Sequence, residues 1–304
     1  MSTGCVDLHC HSTASDGRLT PEEVVALACQ KGLRAVALTD HDTVGGLGAF
    51  HKAGSASGLE TLSGVEISAT FDTGTMHIVG LFVDPAHAGL QAFLKELADG
   101  RKIRNPRIVA KLNELGMSLT MDEVEREAGM KDDGPGGGAI DKSVGRPHIA
   151  AVLIKKGYVK NKAEAFDKYL AKGKPCYFSR FSASPGESIH QIHAAGGLAI
   201  LAHPPYLTKE WDTTKIDAIV GGLKTAGLDG IEVHYSTHSP EQTAFIGGLA
   251  KKYDLMPSGG SDFHGETNGG RKGRTVELGT GFGNNLSVPY EILEGLRQRK
   301  LERG

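Results

Sequence analysis

Histidine gives the sequence its first chemical signal. Most of the 13 histidines follow β-prone runs and stand beside carboxylates. His9-Cys10-His11 follows residues 6–8, with Asp16 five residues on. Asp40-His41-Asp42 follows the run 34–38, Glu66 follows a third run, and His77 opens a fourth. His203 follows 198–201, His234 follows 230–233, and Asp262 with His264 follow the last run. An H-x-H on an extended segment places both imidazoles on one face, because side chains alternate with period two. Imidazoles meeting carboxylates from other strand ends make a mixed nitrogen and oxygen set. Such a set suits Zn²⁺, Mn²⁺ or Fe²⁺ better than Mg²⁺ or Ca²⁺. Any one of these residues reads equally well as a hydrogen-bonded structural group. Five strand ends each delivering His, Asp or Glu read as a metal centre.

The elements that must position these side chains are legible in outline. Thr20-Pro21-Glu22-Glu23 reads as a helix start, with Thr20 as N-cap, Pro21 at the first position and Glu23 closing a capping box. Val24, Val25, Leu27 and Ala28 form its apolar face, and Gly32 stops it. Residues 34–38 are a nearly continuous apolar run, as in strands of parallel sheets. A Gly-rich helical stretch follows, then strands near 61–65 and 77–83. From about 87 to 185 the pattern turns helical and more charged: Leu90, Phe93, Leu94 and Leu97 fit one face, then Ile108, Leu112 and Leu115, then Val152, Leu153, Phe166 and Leu170. Residues 129–145 lack periodicity and are rich in glycine, which reads as a mobile loop. Alternation then returns: helix 189–195, strand 198–201, helix 216–226 and strand 230–233. A helix opened by Ser239-Pro240-Glu241-Gln242 runs to about Tyr253, a strand lies near 255–257, and a last helix covers about 289–299. Repeated βα units predict a parallel α/β architecture, open sheet or barrel. Barrels gather active sites at strand C-terminal ends. The helical middle reads as an insertion, giving barrel parts 1–88 and 186–304 around a helical domain 89–185.

Composition narrows the function classes. The chain has 304 residues, enough for about two domains or one barrel with an insertion. Its 34 Lys and Arg against 36 Asp and Glu give a net charge of −2, which excludes a globally basic nucleic-acid coat or a polybasic membrane clamp. Glycine, at 42 residues, is twice its usual share, which implies many tight turns. Cys5, Cys10, Cys29 and Cys176 form no C-x-x-C pair and read as reduced thiols. With no leader-like N-terminus and no apolar run near ~18 residues, the expected setting is the cytoplasm, with no membrane partner.

The motifs resemble those of the PHP (polymerase and histidinol phosphatase) family. Val6-Asp7-Leu8-His9-Cys10-His11-Ser12, Ser15-Asp16-Gly17 and Ala37-Leu38-Thr39-Asp40-His41-Asp42-Thr43 look like its opening motifs. Gly64-Val65-Glu66-Ile67-Ser68, Ile200-Leu201-Ala202-His203-Pro204 and Gly260-Ser261-Asp262-Phe263-His264-Gly265 look like its later ones. Gly145-Arg146-Pro147-His148-Ile149-Ala150 and Gly173-Lys174-Pro175 resemble the branch of nucleoside 3′,5′-bisphosphate phosphatases and 5′-to-3′ exoribonucleases. The resemblance implies a distorted (β/α)7 barrel with a helical cap and two or three divalent ions, Mn²⁺, Fe²⁺ or Zn²⁺. Carried over by motif, His9, His11, Glu66 and Asp262 would hold one ion, and Glu66, His77 and His203 a second. Asp16, His41 and His264 would hold a third. Asp40 would support the ligands rather than bind.

That site suits phosphate monoesters. Clustered cations neutralise the phosphate oxygens, acidify a water that attacks phosphorus in line, and stabilise the leaving oxygen. His203, His234 or His238 are candidate acids, the last two also candidates for holding ligands in orientation. Arg146 and His148 would close on substrate, with Arg146 gripping a second phosphate. Arg271, Lys272 and Arg274, with Gly269 and Gly270, are a further phosphate site. Arg101, Lys102, Arg104, Arg107 and Lys111 read as a solvated helix face, or else as a path for an RNA backbone. Tyr206 and Trp211 would stack a base at the rim or pack. His51, His87, His190 and His193 read as ordinary surface or helix residues. The expected partner is a small nucleotide, a nucleoside 3′,5′-bisphosphate losing its 3′-phosphate. The alternatives are short 5′-phosphorylated RNA trimmed from its 5′ end, histidinol phosphate, a C–N bond, or a metal-binding module without catalysis.

Overall fold

The computed structural model describes residues 5–72, 74–129, 143–179, 181–208, 210–265 and 275–303. Strands β1 (Cys5–Cys10), β2 (Ala35–Leu38) and β3 (Glu60–Phe71) run parallel, joined through helices α1 (Pro21–Gln30) and α2 (Leu47–Ser57). Strand β4 (Gly74–Leu81) is antiparallel to β3 and to β5 (Leu198–Leu201). β5, β6 (Gly230–Tyr235) and β7 (Met256–Gly260) are again parallel, connected by α8 (Thr213–Thr225) and α9 (Pro240–Lys252). The order is β7-β6-β5-β4-β3-β2-β1-β8, where β8 (Val288–Pro289) pairs with the Cys5 end of β1. At the other end of β1 the His11 amide donates to the Phe263 carbonyl at 2.9 Å, and the Asp262 amide to the His9 carbonyl at 2.8 Å. The sheet thus wraps into a nearly closed, distorted barrel.

The reversed strand corrects the all-parallel expectation. A parallel return needs a crossover of about a dozen residues, and only positions 72 and 73 separate β3 from β4. The reversal has a use. It brings the first half of β4, with His77 opposite Ser68, to the rim where the parallel strands end.

The barrel interior is apolar: Val6, Leu8, Val79, Leu81, Leu198 and Ile200 form one cluster, joined by Leu293 and Leu296 of the last helix, α10 (Tyr290–Arg303). Val36, Leu38 and Phe50 pack α1 and α2 outside. Helix α7 (Pro185–Ala194) begins earlier than its apolar pattern suggests, because Ser184 caps it and Glu187 closes the box. Between the barrel halves lie α3 (Ala88–Glu114), α4 (Met121–Glu127), α5 (Arg146–Lys155) and α6 (Lys162–Ala165), the last continuing into a π-type turn at Phe166–Leu170. The first half of α3 packs Leu90, Leu94 and Leu97 on the barrel's outer cluster. Its second half contributes Ile108 and Leu112 to a separate cluster with Val124, Ile149, Leu153 and Leu170. Among the described residues no helix is long and apolar enough to cross a membrane. The glycine-rich stretch 130–142 lies outside the described residues.

Closure of the barrel depends on Gly260, where a Cβ would overlap the backbone of His9. In α2, by contrast, a Cβ on Gly48 meets nothing within 4 Å. Gly260→Ala is therefore expected to destabilise the metal-free protein by about 1–3 kcal/mol, and Gly48→Ala to stabilise it by about 0.5–1 kcal/mol. Thermal unfolding of both variants checks this; equal midpoints would contradict it.

Candidate metal centre

Glu66 stands at the centre, fully buried. Five imidazoles lie within 3.4 Å of its two oxygens: His41 Nδ1 at 2.8 Å, His77 Nδ1 at 2.9 Å, His203 Nε2 at 3.2 Å, His11 Nε2 at 3.3 Å and His9 Nε2 at 3.4 Å. Asp262 Oδ1 is 3.1 Å from His11 Nε2 and 3.5 Å from His9 Nε2. His77 Nδ1 and His203 Nε2 are 3.2 Å apart. Asp16 Oδ1 is 3.2 Å from His264 Nε2 and 3.8 Å from His41 Nε2. All nine residues singled out in the sequence therefore meet at one rim. The donor atoms of eight of them fall into overlapping sets spanning no more than 4.8 Å: His9, His11, Glu66 and Asp262; His41, Glu66 and His77; His11, Asp16, His41 and His264. His203 lies outside these sets, and His41 stands with Glu66 and His77 where His203 was expected. His11 and His41 each belong to two sets, a sharing the motifs did not reveal.

Divalent cations fit these residues. Among the described residues 11 buried side-chain polar atoms lack a hydrogen-bond partner, and 6 belong here: His9 Nε2, both nitrogens of His11, His41 Nδ1, Asp16 Oδ1 and Glu66 Oε2. Each such atom costs about 1–3 kcal/mol, so their convergence asks for a ligand that accepts several lone pairs at once. Electrostatics agree. Burial opposes ionisation of Glu66, yet His41, His77 and His9 hold its carboxyl well below the usual range. Burial likewise works against the charge on Asp16, and His264 and His41 overcome it. Burial lowers the His9 pKa, but Glu66, Glu232 and Asp262 raise it well above normal. Against the same opposing burial, Glu66 and Asp16 raise His41 to about 9. His11 goes the other way, to about 3, through burial and its neighbours His264 and His41.

Behind this layer is a ring of buried carboxylates. Asp40 accepts from the Ser12 amide at 2.8 Å, Ser12 Oγ at 2.7 Å and Ser15 Oγ at 2.6 Å, pinning the turn that carries Asp16. Burial pushes its pKa up to about 6 despite those bonds. Asp7 accepts from the Ser261 amide and hydroxyl at 3.0 and 2.6 Å and from the Gly279 amide at 2.7 Å. Three residues escaped the sequence reading. Glu232 accepts from His9 Nδ1 and from the His203 amide. Tyr235 donates to Asp262 Oδ2 at 2.6 Å. Asp42 accepts from the Ser68 amide at 2.7 Å and pairs with Arg101. A register shift in β6 between Glu232 and His234 turns both Glu232 and Tyr235 toward the cluster. Asp42, His203 and Asp262 have φ of 52°, 32° and 56°, conformations that L-residues hold only when surroundings over-determine them.

Other expected residues fall elsewhere. His234 and His238 are not among the converging groups. Burial lowers both pKa values. His238 Nδ1 lies 3.0 Å from the Val233 carbonyl, so it carries the proton and leaves Nε2 as an acceptor. That chemistry suits accepting rather than donating. Arg146 Nη1 donates to the Leu170 carbonyl at 2.8 Å, and the guanidinium lies near the Phe166 and Tyr177 rings. His148 is buried and accepts the Gly145 amide at 3.0 Å, capping α5. Lys162, not anticipated, reaches 3.9 Å from Asp16 Oδ2. The basic stretch is split: Arg101 and Arg104 are buried, while Lys102 and Arg107 are exposed, Arg107 over the Phe178 ring, and Lys111 pairs with Glu114 at the surface. Trp211 packs edge-on against Phe245, whereas Tyr206 is at the rim with its ring 5.4 Å from His203. His51, His87 and His193 are all engaged, His87 as the N-cap of α3 and His193 with Asp229 at 2.7 Å. Arg271, Lys272, Arg274, Gly269 and Gly270 lie outside the described residues.

The barrel and its rim cluster define a protein built to gather cations among histidines and carboxylates. The chain belongs to the PHP domain family, whose pattern matches residues 7–123. It is 38% identical over 274 residues to a 3′,5′-nucleoside bisphosphate phosphatase of Chromobacterium violaceum, covering 90% of this chain and 92% of that one. It is 34% identical to the 5′-3′ exoribonuclease Rnm of Escherichia coli, covering 85% and 84%. Among solved structures, an amidohydrolase from Chromobacterium violaceum with bound sulfate and no metal superposes with a TM-score of 0.80 at 34% identity, covering 97% of each chain.

In the metal-free protein His9, His41 and His264 are raised above their ordinary value, so at neutral pH a cation must displace protons to reach them. Mn²⁺ affinity is therefore expected to rise with pH up to about 9, the His41 value. Loading near pH 7 in weak buffer should release protons. Affinity that stays flat between those two pH values would contradict this assignment.

Proposed function

We propose that this chain hydrolyses the 3′-phosphate of a nucleoside 3′,5′-bisphosphate. It is a hydrolase acting on phosphoester bonds, of a metal-dependent family. The observation that carries the finer reading is Lys162, held 3.9 Å from Asp16 Oδ2, which sets a cation of the helical segment beside the cluster. A monophosphate is served by the cluster alone; a bisphosphate uses a second cationic anchor. Residues 89–185 act in this reading as a cap on the barrel parts 1–88 and 186–304, with Lys162 toward the cluster; Arg146 and His148, expected to close on substrate, are engaged with the Leu170 carbonyl and the Gly145 amide. The similarity to the bisphosphate phosphatase over 90% of the chain supports it.

His9, His11, Glu66 and Asp262 would hold one ion, Glu66, His77 and His203 a second, and Asp16, His41 and His264 a third. When bound, such ions neutralise phosphate oxygens, activate water near neutral pH and stabilise the leaving oxygen. The protein's own part is orientation. Glu66 would serve two of these positions from one buried carboxylate, and Tyr235 fixes Asp262 through its second oxygen. Burial and Asp262 raise the Tyr235 pKa well above normal, so it keeps that proton. Of the three histidines weighed as acids, only His203 reaches the cluster, and there it serves as a ligand. A cytoplasmic setting agrees with four free thiols. The similarity to exoribonucleases supports a second reading, in which a 5′-phosphorylated RNA end presents the paired phosphates.

Chelator-stripped protein reloaded with Mn²⁺ is expected to release phosphate faster from adenosine 3′,5′-bisphosphate than from AMP, histidinol phosphate or a 5′-phosphorylated trinucleotide. Lys162→Ala should raise KM roughly 10-fold for the bisphosphate, the size of one charge-assisted contact, and leave AMP nearly unchanged. Faster turnover of the trinucleotide would favour the nuclease reading. An equal effect of Lys162→Ala on both nucleotides would remove the second anchor.

A further inference from the structure

Glu232 has a geometry that only a carboxylate can satisfy. It lies in β6, 3% exposed. Its Oε1 is 3.0 Å from His9 Nδ1, and its Oε2 accepts the His203 amide at 2.7 Å. Two donors, one in β1 and one just past the end of β5, thus converge on one side chain. An ionised carboxylate is acceptor-only on both oxygens, whereas an amide supplies one acceptor and one donor. With Nδ1–H given to Glu232, His9 presents the lone pair of Nε2, the atom 3.4 Å from Glu66 and 3.5 Å from Asp262. The second oxygen grips His203 where its backbone sits at φ 32°, a conformation that needs external support. The His9 and His203 rings are 5.9 Å apart and nearly parallel. Strand β6 shifts register immediately after Glu232, as expected where a strand re-aims a side chain.

We propose that Glu232 is a positioning residue that simultaneously fixes the tautomer and ring of His9 and the backbone of His203, and so sets two neighbouring cation positions while touching neither ion nor substrate. This rests on the metal-centre reading above. The third position, at Asp16, His41 and His264, receives no contact from Glu232 and is independent of it. Gln at 232 must point an N–H at one of the two donors. Asp is a methylene shorter and cannot span both.

The test is metal binding, read apart from turnover. Purified wild type, Glu232→Gln and Glu232→Asp are stripped and titrated with Mn²⁺ against a competing chelator. Anomalous scattering at the manganese edge assigns the positions, and thermal unfolding of the metal-free proteins checks folding. Loss of such an outer partner typically lowers metal affinity 10–100-fold. That loss is expected at the positions of His9 and His203, with the Asp16 position unchanged. Wild-type affinity at all positions in a folded variant overturns the proposal. So does an equal loss at every position with a lowered metal-free midpoint, which marks a general structural role. If neither variant folds, ¹⁵N-histidine NMR of Zn²⁺-loaded wild type decides: a slowly exchanging proton on His9 Nδ1 is expected, and an unprotonated or metal-shifted Nδ1 overturns it. Wild type that binds no metal at all defeats the underlying reading instead.

Discussion

A fully buried carboxylate surrounded by five imidazoles is the constraint from which the rest of the structure follows. Burying one charge is costly unless it is paired and hydrogen-bonded. Burying several titratable groups in contact raises the cost, because imidazoles that neutralise Glu66 repel one another. His11 shows the conflict: burial, and then its neighbours His264 and His41, push its pKa to about 3 while His41 itself rises to about 9. Six buried polar atoms of the cluster are left without a hydrogen-bond partner. Divalent cations replace several partial charges with a few concentrated ones, and the orphaned lone pairs then point at something.

Holding such a cluster before any cation arrives requires a stiff support, and the protein builds it from a second set of carboxylates. Asp7, Asp40 and Glu232 are buried, and their hydrogen bonds go to the backbone and side chains of the segments that bear the ligands. The strained residues Asp42, His203 and Asp262 lie at these junctions. The barrel's irregularities fall here too: β1 shifts register between Asp7 and Cys10, and β6 between Glu232 and His234. In β1 the shift lets Leu8 join the interior cluster while His9 and His11 face the rim. Backbone regularity is given up where side chains must converge from unlike directions.

Those same irregularities decide what the sequence could reveal. His9 and His11 are legible because two residues apart on an extended segment share a face, although His9 itself falls within the shift in β1. Glu232 and Tyr235 are not, because they differ by three positions and share a face only through the bulge. His234, at the regular spacing from Glu232, drew attention instead and stands outside the cluster. The reversed β4 was readable in principle: Asp72-Thr73-Gly74 between two β-prone runs is a hairpin signal. Arg101 and Arg104 were also readable. They fall on the stripe of Leu94, Leu97 and Ile108, and a cation on an apolar helical stripe is a buried cation in need of a partner. Spacing within elements carried the fold and the converging side chains; contacts between elements carried what positions them.

Helix α3 shows how the two halves of the molecule are tied to one site. Its first turns are anchored in the barrel's outer cluster and its last turns in the separate helical cluster. Arg101 sits between them, paired with Asp42, the residue that follows His41. Asp42 in turn holds the Ser68 amide, two residues beyond Glu66. A displacement of the helical segment must therefore either bend α3 or strain the Asp42 contact beside two of the cluster's side chains. A helix packed at both ends resists bending, because each end would forfeit buried contacts. A buried ion pair thus joins the helical segment to the cluster. Breaking it would leave an uncompensated charge next to His41, which makes the pair costly to open.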